Sequence, residues 1–206
     1  MRYYYTSNIA DFLKEDENSI LGKLAAANEF SLLKTQRDAW VHQIPILKNN
    51  LAGLDGQICL EYTIPRMGRR IDAILLLAGI VFVIEFKIGE SEARRADLDQ
   101  VWDYTLDLKN FHEPSHNRCL VPILLLSDLE VKKNSFDFSL SLENISDPIF
   151  CAPEQLRLVL DKCKSLFESS SLNTESWLQG RYSPTPTIIE AAQALYRGHN
   201  VAEISR

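Results

Sequence analysis

Three charged residues lie inside two apolar stretches of the chain, and their types and spacing are suited to chemistry. Asp72 is near the start of IDAILLL, and Glu85 is near the end of IVFVIEF, with Lys87 two positions later. The dipeptide AG between these stretches favours a tight β-hairpin. Asp72 and Glu85 each lie six residues from this turn, so an antiparallel hairpin places them roughly opposite each other. Glu85 and Lys87 project from one face of their strand, and Phe86 from the opposite, core-facing side.

The predicted cluster of two carboxylates and one ammonium group indicates a cation site. Charges in an apolar sheet are costly to bury unless they are paired or bind a metal. Two carboxylates beside a backbone carbonyl suit a hard cation such as Mg²⁺. The ammonium group could position an attacking water or neutralise charge in a phosphorane-like transition state. The pattern also fits a surface hairpin with solvated acids and a same-face ion pair between Glu85 and Lys87.

The motifs around this hairpin resemble those of a known nuclease superfamily. Asp72 followed by Glu85-Phe86-Lys87 looks like the D…(D/E)-x-K core of the PD-(D/E)XK superfamily, although Ile71 stands where proline often precedes the aspartate. The segment from Gln100 to Tyr104 looks like the Q-x-x-x-Y element of one branch. LEYTIPRMGRRIDAILLL, VIEFKIGES and DQVWDYTLDLKNFHEPSH are similar to the N-terminal region of bacterial Schlafen-like DNA/RNA helicase proteins.

The resemblance implies a function and a set of site residues. We expect a metal-dependent nuclease whose Mg²⁺ or Mn²⁺ is held by Asp72, Glu85 and the carbonyl of Phe86, with Lys87 acting on the nucleophile. The product would carry a 5′-phosphate. Gln100 and Tyr104, which are i and i+4 on a predicted helix over residues 91–109, would hydrogen-bond near the metal and brace the site. Both residues could equally be ordinary packing residues.

The charge distribution bears on the expected partner. The net charge of −6 argues against nucleic acid, because Lys and Arg drive phosphate binding. The local field matters more than the total, however. Two basic clusters flank the expected site and could contact phosphates or simply be solvated: Arg66, Arg69 and Arg70, and then Arg94 and Arg95. Nucleic acid is the expected partner, with DNA favoured over RNA.

The remaining periodicity predicts an α/β fold with a restriction-endonuclease-like core, in which a mixed sheet of four or five strands has helices on both faces. Helices are predicted over 15–28 and over 35–52, the second capped by Thr35, kinked or split at Pro45 and ended near Gly53. QICLEYTIP is predicted to be a strand with Ile58, Leu60 and Tyr62 on one face. Glu61 on its other face is a possible additional acid, or an exposed acid on an edge strand.

The composition fits a reduced cytoplasmic protein. The chain has 206 residues, 46% of them hydrophobic, and it lacks both a stretch long enough for a transmembrane helix and an apolar leader. Its four cysteines are scattered without a C-x-x-C pair, which favours free buried thiols.

The composition changes near Ser169 and predicts two regions. Residues 1–168 are expected to form the nuclease-like domain. Residues 169–206 are expected to form a serine-rich linker and a helical segment that leads toward a helicase region of the same protein, which follows this segment in the resembling proteins. The chain contains no G-x-x-x-x-G-K-[ST], so it is not expected to be an ATPase by itself. The alternative to a nuclease is a catalytically silent module of the same fold that docks nucleic acid or a protein.

Overall fold

The protein has one six-stranded mixed β-sheet with helices on both faces, which confirms the predicted α/β class. The computed structural model describes residues 2–28, 34–131, 136, 138–141, 143–167 and 171–196. Within these residues the strands are β1 (Tyr5–Asn8), β2 (Gln57–Ile64), β3 (Arg69–Leu77), β4 (Ile80–Lys87), β5 (Leu120–Leu126) and β6 (Ile149–Cys151). The helices are α1 (Ile9–Lys14), α2 (Glu17–Ala27), α3 (Lys34–Leu51), α4 (Arg95–Phe111), α5 (Leu156–Leu166), α6 (Thr174–Leu178) and α7 (Pro186–Tyr196).

The strands lie side by side in the order in which they occur along the chain. The first four form an antiparallel meander, and β5 and β6 then add in parallel to β4. A parallel neighbour requires a crossover connection, and α4 provides it between β4 and β5. The sheet has six strands because the short segment YTSN at β1 pairs with β2, a pairing that its mixed polarity does not predict.

The hairpin of β3 and β4 forms as predicted from AG. Leu77 pairs with Ile80, so Ala78 and Gly79 are the two residues of the turn. Their φ angles are 50° and 78°, and two positive φ angles define the type I′ turn that matches the twist of antiparallel strands. The register then runs back to the pair Ala73 and Ile84, which places Asp72 and Glu85 next to each other.

Two apolar cores lie on the opposite faces of the sheet. The first core is covered by α1, α2, α3 and α5, which contribute large buried side chains such as Phe12, Leu24, Trp40 and Leu160. The second core is covered by α4 and α6, through Val101, Tyr104, Leu108 and Trp177. Because β5 is buried along its whole length, its apolar side chains serve both cores, as expected for a strand covered on both faces.

Helix α3 differs in detail from its prediction. It is one helix from Lys34 to Leu51, so Pro45 does not split it and Thr35 lies inside its first turn. Proline has no N–H to donate to the carbonyl four residues earlier, which is that of Val41. Val41 lies on the solvent side of the helix, with 45% of its surface exposed. Packing of the core-facing side keeps the helix whole, since Leu47 and Leu51 are fully buried. Gly53, with φ 73°, follows the end of the helix as predicted.

Helix α4 begins at Arg95, four residues later than the predicted start at residue 91. The connection after β4 is tethered to the end of β5, because Gly89 N donates to Ser127 Oγ at 2.7 Å and Asp128 N donates to the Glu90 carbonyl at 3.1 Å. These bonds hold the connection against the end of β5 before the helix starts.

The segment after α5 packs closely on the domain, which differs from the linker predicted from its polar composition. Trp177 on α6 is fully buried in the second core, and its Nε1 donates to Ser115 Oγ at 3.0 Å. The backbone of Ser183 donates to the Phe111 carbonyl, and Arg2 donates to the Gly180 carbonyl. Residues 197–206, the end of the predicted helical segment, lie outside the described residues.

A further expectation, that of free buried thiols, is confirmed within the described residues. All four cysteines are free and buried. No helix in the described part of the chain is long and apolar enough to cross a membrane.

Candidate active site

The charged residues of the hairpin lie where two neighbouring strands separate. The pairing of β3 with β4 ends at Ala73 and Ile84. Beyond this point β3 stays paired with β2 as far as Arg69, whereas β4 stays paired with β5 as far as Lys87. We call this gap between the two strands the fork. At the fork, backbone N–H and C=O groups lack the partners that continuous strand pairing would give them. Side chains can therefore enter the sheet there and bond these groups.

Asp72 spans the fork. Its Oδ2 accepts a hydrogen bond from the backbone N–H of Phe86 at 2.8 Å, replacing a bond that the strands no longer make. Glu85 lies beside it on β4 and is only 6% exposed. Glu85 Oε1 accepts hydrogen bonds, but its Oε2 is buried without a partner among the described residues. This oxygen is available to a water or to a cation.

The two carboxyl groups hold their protons strongly. Burial raises the pKa of Asp72 well above its ordinary value, and the Glu85 carboxylate raises it further. Burial likewise raises the pKa of Glu85 to about 7, although the Lys87 ammonium group acts in the opposite direction. Two like charges in a site of low polarity disfavour joint ionisation. A cation between them would remove this cost.

Lys87 is held on the other side of Glu85 by three oxygens. Its Nζ lies 2.9 Å from Gln100 Oε1, 3.3 Å from Asp97 Oδ1 and 3.5 Å from Glu85 Oε1. Burial lowers the pKa of Lys87, but the carboxylates of Glu85 and Asp97 outweigh burial, and the net direction is upward. Lys87 is therefore a cation at neutral pH, so it can stabilise negative charge or orient a water but cannot act as a general base.

Gln100 connects the helix to the strands. Its Nε2 donates to Glu85 Oε1 at 2.7 Å and lies 2.9 Å from the hydroxyl of Tyr104. Because its Oε1 accepts from Lys87, the amide bonds both charged residues of the E-x-K motif at once. The structure thus brings together five residues singled out from the sequence: Asp72, Glu85, Lys87, Gln100 and Tyr104.

Glu61 lies close to the same group of charges but is already engaged. Trp40 Nε1 donates to its Oε1 and Arg70 Nε to its Oε2, both at 2.7 Å. Its negative charge contributes to the raised pKa values of Asp72 and Glu85. These bonds fix the direction of the Glu61 carboxylate, so Glu61 adds to the field at the fork while both of its oxygens are occupied.

The backbone at Glu61 corrects the predicted alternation of β2. Glu61 has a φ of 53°, which is uncommon for a residue with a side chain. Tyr62 consequently lies in the second core with Cys59, whereas Ile58 and Leu60 lie in the first. The prediction that Tyr62 shares a face with Ile58 and Leu60 is wrong, because the strand turns over at Glu61.

Two of the five predicted arginines border the site, and the other three make contacts away from it. Arg69 and Arg70 border a cavity at the fork, which we call the fork cavity and which is also lined by Glu61, Asp72 and Tyr104. Arg66 instead stacks on the ring of Phe111, 3.4 Å from its centroid. Arg94 and Arg95 make ion pairs at 2.8 Å, with Glu90 and Asp99 respectively, and lie on an exposed part of the chain.

Two residues of the site escaped sequence reasoning. Asp97 contacts Lys87 and lies three residues before Gln100, so it shares a face of α4 with it. This helical spacing was the signal that could have identified it. Trp40 on α3 is buried in the first core, and its indole N–H also orients Glu61. No sequence spacing relates Trp40 to Glu61, because the two lie on separate elements.

The residues at the fork fit a divalent cation in part. Within the described residues, no group of three or more His, Cys, Asp or Glu side chains is arranged to hold a metal ion. Mg²⁺ is commonly bound through only one or two protein carboxylates and keeps several waters, however. Asp72 and Glu85 supply two carboxylates, and the unpartnered Glu85 Oε2 is a free ligand atom. The part of the Phe86 carbonyl in such a site stays a prediction.

No protein-family model, curated protein or solved structure matches this chain. Its function must therefore be inferred from the geometry of the fork and from the motifs that lie there.

Proposed function

We propose that the protein is a metal-dependent nuclease that hydrolyses phosphodiester bonds, with a restriction-endonuclease-like core. The observation that carries this proposal is the set of contacts at the fork. Asp72 and Glu85 lie side by side with raised pKa values, one oxygen of Glu85 has no partner among the described residues, and a cationic Lys87 lies 3.5 Å away. A purely structural ion pair would not need a second buried carboxylate.

Each side chain has a distinct task in this proposal. Asp72 and Glu85 would hold Mg²⁺ or Mn²⁺, with the Phe86 carbonyl as a further ligand, and such a cation supplies Lewis acidity and lowers the pKa of water. Lys87 stabilises the negative charge that develops on the phosphate and orients the attacking water. Gln100 fixes Glu85 Oε1 and Lys87 in one arrangement, and Tyr104 limits the movement of Gln100.

The surroundings support nucleic acid as the substrate, with DNA as the first candidate. Arg69 places positive charge at the fork cavity, where a phosphate would approach Asp72, and Arg70 offsets the charge of Glu61 there. In this proposal the protein acts in the cytoplasm, and a helicase region of the same protein supplies or moves the nucleic acid.

The experiment that tests the proposal compares wild type with Asp72→Ala, Lys87→Ala and the exposed control Lys162→Ala. Mn²⁺ binding is measured by calorimetry, and cleavage is measured on labelled single- and double-stranded DNA and RNA with Mg²⁺, Mn²⁺ or chelator. Asp72→Ala should lose metal binding and cleavage together. Lys87→Ala should lose cleavage but bind Mn²⁺ at least as tightly as wild type, because its ammonium group repels a cation.

A docking module that keeps the fold without catalysis is the second candidate. The net charge of −6 and the ion pairs of Arg94 and Arg95 favour it, because a negatively charged protein repels phosphates and these two arginines already contact acids. A folded wild-type protein that binds no Mn²⁺, or whose Mn²⁺ binding is unchanged in Asp72→Ala, would establish docking over hydrolysis. Cleavage at the wild-type rate by Lys87→Ala would remove the lysine from the mechanism.

A further inference from the structure

The fork cavity has walls on both sides of the sheet. Its first wall is a single stripe of α3, formed by Gln36, Ala39, Trp40 and Gln43. Its second wall is Tyr104 of α4, a helix that packs on the opposite face. The strands separate between these helices, so the cavity passes into the sheet at the fork and has Asp72 among its lining residues.

The size of the cavity limits what can reach the carboxylates. Its volume is about 350 Å³, near the lower end of the range of small-molecule sites, which is roughly 300–1,000 Å³. This space accommodates one nucleotide, so a nucleotide that is paired in a duplex would have to leave its partner to enter. Asp72 lines the cavity, so a phosphodiester that enters it meets this carboxylate, and Glu85 lies beside Asp72 on β4.

The lining has the chemistry that recognises one nucleotide. Arg69 supplies positive charge for a phosphate, whereas Arg70 is paired with Glu61 at 2.7 Å. Gln36 on α3 is half-buried, and its amide offers a donor and an acceptor to the edge of a base, whereas Gln43 is only 6% exposed. Base edges are open to such contacts when the strand is unpaired. The aromatic rings of Trp40 and Tyr104 are buried, so amide contacts are the available means of recognition.

We propose that the substrate of this site is single-stranded nucleic acid, one nucleotide of which enters the fork cavity between α3 and α4. This inference rests on the proposed nuclease function, since it specifies the substrate of the same carboxylates. A duplex should bind more weakly, because one of its base pairs must open before a nucleotide can enter the cavity.

The test measures binding separately from catalysis. Asp72→Asn removes a negative charge but keeps an oxygen that can accept from Phe86 N, so it serves as a non-cleaving background. Fluorescence anisotropy in chelator, with labelled 12-mers of one sequence as single-stranded DNA, single-stranded RNA and duplex DNA, gives the affinities. Single strands should bind at least tenfold more tightly than the duplex, and the DNA and RNA arms identify the preferred sugar.

Filling the cavity should abolish this preference. Ala39→Phe in the same background should weaken single-strand binding at least tenfold. The matched control is Ala26→Phe, an exposed alanine on α2 outside the cavity lining, which should leave binding unchanged. If Ala39→Phe melts at a markedly lower temperature, Gln36→Leu at the same wall replaces it, with a loss of at least threefold expected.

Two outcomes separate this inference from the function on which it rests. Duplex binding as tight as single-strand binding, or an Ala39→Phe variant that binds like its parent, overturns the inference even if wild type cleaves duplex DNA with Mn²⁺. A wild type that binds no Mn²⁺ and cleaves nothing overturns the nuclease function. Selective single-strand binding that Ala39→Phe removes would then still support the cavity as the nucleic-acid site.

Discussion

The central chemical feature at the scale of single residues is a pair of neighbouring acids that cannot both ionise cheaply. Asp72 is fixed by the Phe86 N–H and Glu85 by Gln100, so neither acid is free to turn away from the other. Lys87 offsets part of the repulsion but is shared with Asp97. Joint ionisation of the two acids would thus leave a local excess of negative charge, which a divalent cation would neutralise.

This excess predicts that the metal-free protein becomes less stable as the pH rises. A carboxyl group with a raised pKa binds more protons in the folded state, so the free energy of unfolding falls between its unfolded and folded pKa values. For Glu85 this interval runs from 4.5 to about 7. The loss is on the order of 3 kcal/mol at 1.36 kcal/mol per pH unit. Urea unfolding between about pH 4.5 and 7.5 in chelator measures it.

The control for this prediction is an acid outside the fork. Glu85→Gln should flatten the pH dependence of the free energy of unfolding, whereas Glu92→Gln, an exposed acid, should leave it as in wild type. Adding Mn²⁺ near pH 7.5 should restore stability in wild type and not in Glu85→Gln, because a ligand that binds only the folded state stabilises it. Equal slopes in the two variants would show that Glu85 titrates normally.

At the scale of elements, the regular parts of the site were predictable from local spacing. The dipeptide AG determined the turn, and the turn determined which residues of β3 and β4 face each other. Helical spacing placed Gln100 and Tyr104 on one side of α4. These features depend only on the two-residue period of strands and the 3.6-residue period of helices, which short stretches of sequence display.

Other features depend on contacts between distant elements, and the sequence did not reveal them. The positive φ of Glu61 is held by Trp40 of α3 and Arg70 of β3. The late start of α4 follows from bonds between its preceding loop and the end of β5. In both places tertiary hydrogen bonds outweigh local preference, so one-dimensional patterns gave the wrong face for Tyr62 and the wrong start for the helix.

The contacts of Gln100 on α4 indicate that it is a positioning residue for Glu85. Its amide N–H lowers the pKa of Glu85 by bonding the ionised form, so Gln100→Ala should raise that pKa further. A hydrogen bond to a charged group contributes roughly 1.5–3 kcal/mol, which corresponds to about one to two pH units. The acidic limb of the pH profile of kcat/KM for cleavage should shift upward by this amount.

Asp103→Ala provides the matched control on the same helix, because Asp103 is exposed on α4. It should leave both the pH profile and the rate unchanged. A loss of activity in Gln100→Ala at every pH, with no shift of the acidic limb, would mean that the glutamine does not act through Glu85.

At the scale of the whole molecule, the site lies between two cores that are completed by distant parts of the chain. The first core contains α1 and α2 from the N-terminal region, and the second contains Trp177 from the segment after α5. Serine-rich composition predicted a linker there, but one tryptophan is sufficient to attach the segment. Its ring lies 4.5 Å from that of the buried His112, which in turn bonds Ser115.

Trp177 should therefore contribute to the stability of the entire domain and, through α4, to the site. Trp177→Ala removes a fully buried indole and leaves Ser115 Oγ without its donor, which should lower the free energy of unfolding by about 3–5 kcal/mol. Trp102→Ala is the matched control, because Trp102 on α4 is only partly buried and should cost much less. Urea denaturation of the full chain, followed by circular dichroism, measures both.

If residues 171–185 were a detached linker, the two variants would be equally mild and Trp177→Ala would unfold at the same urea concentration as wild type. A large loss confined to Trp177→Ala would place this segment within the cooperative unit that holds α4, and Gln100 with it, against the fork.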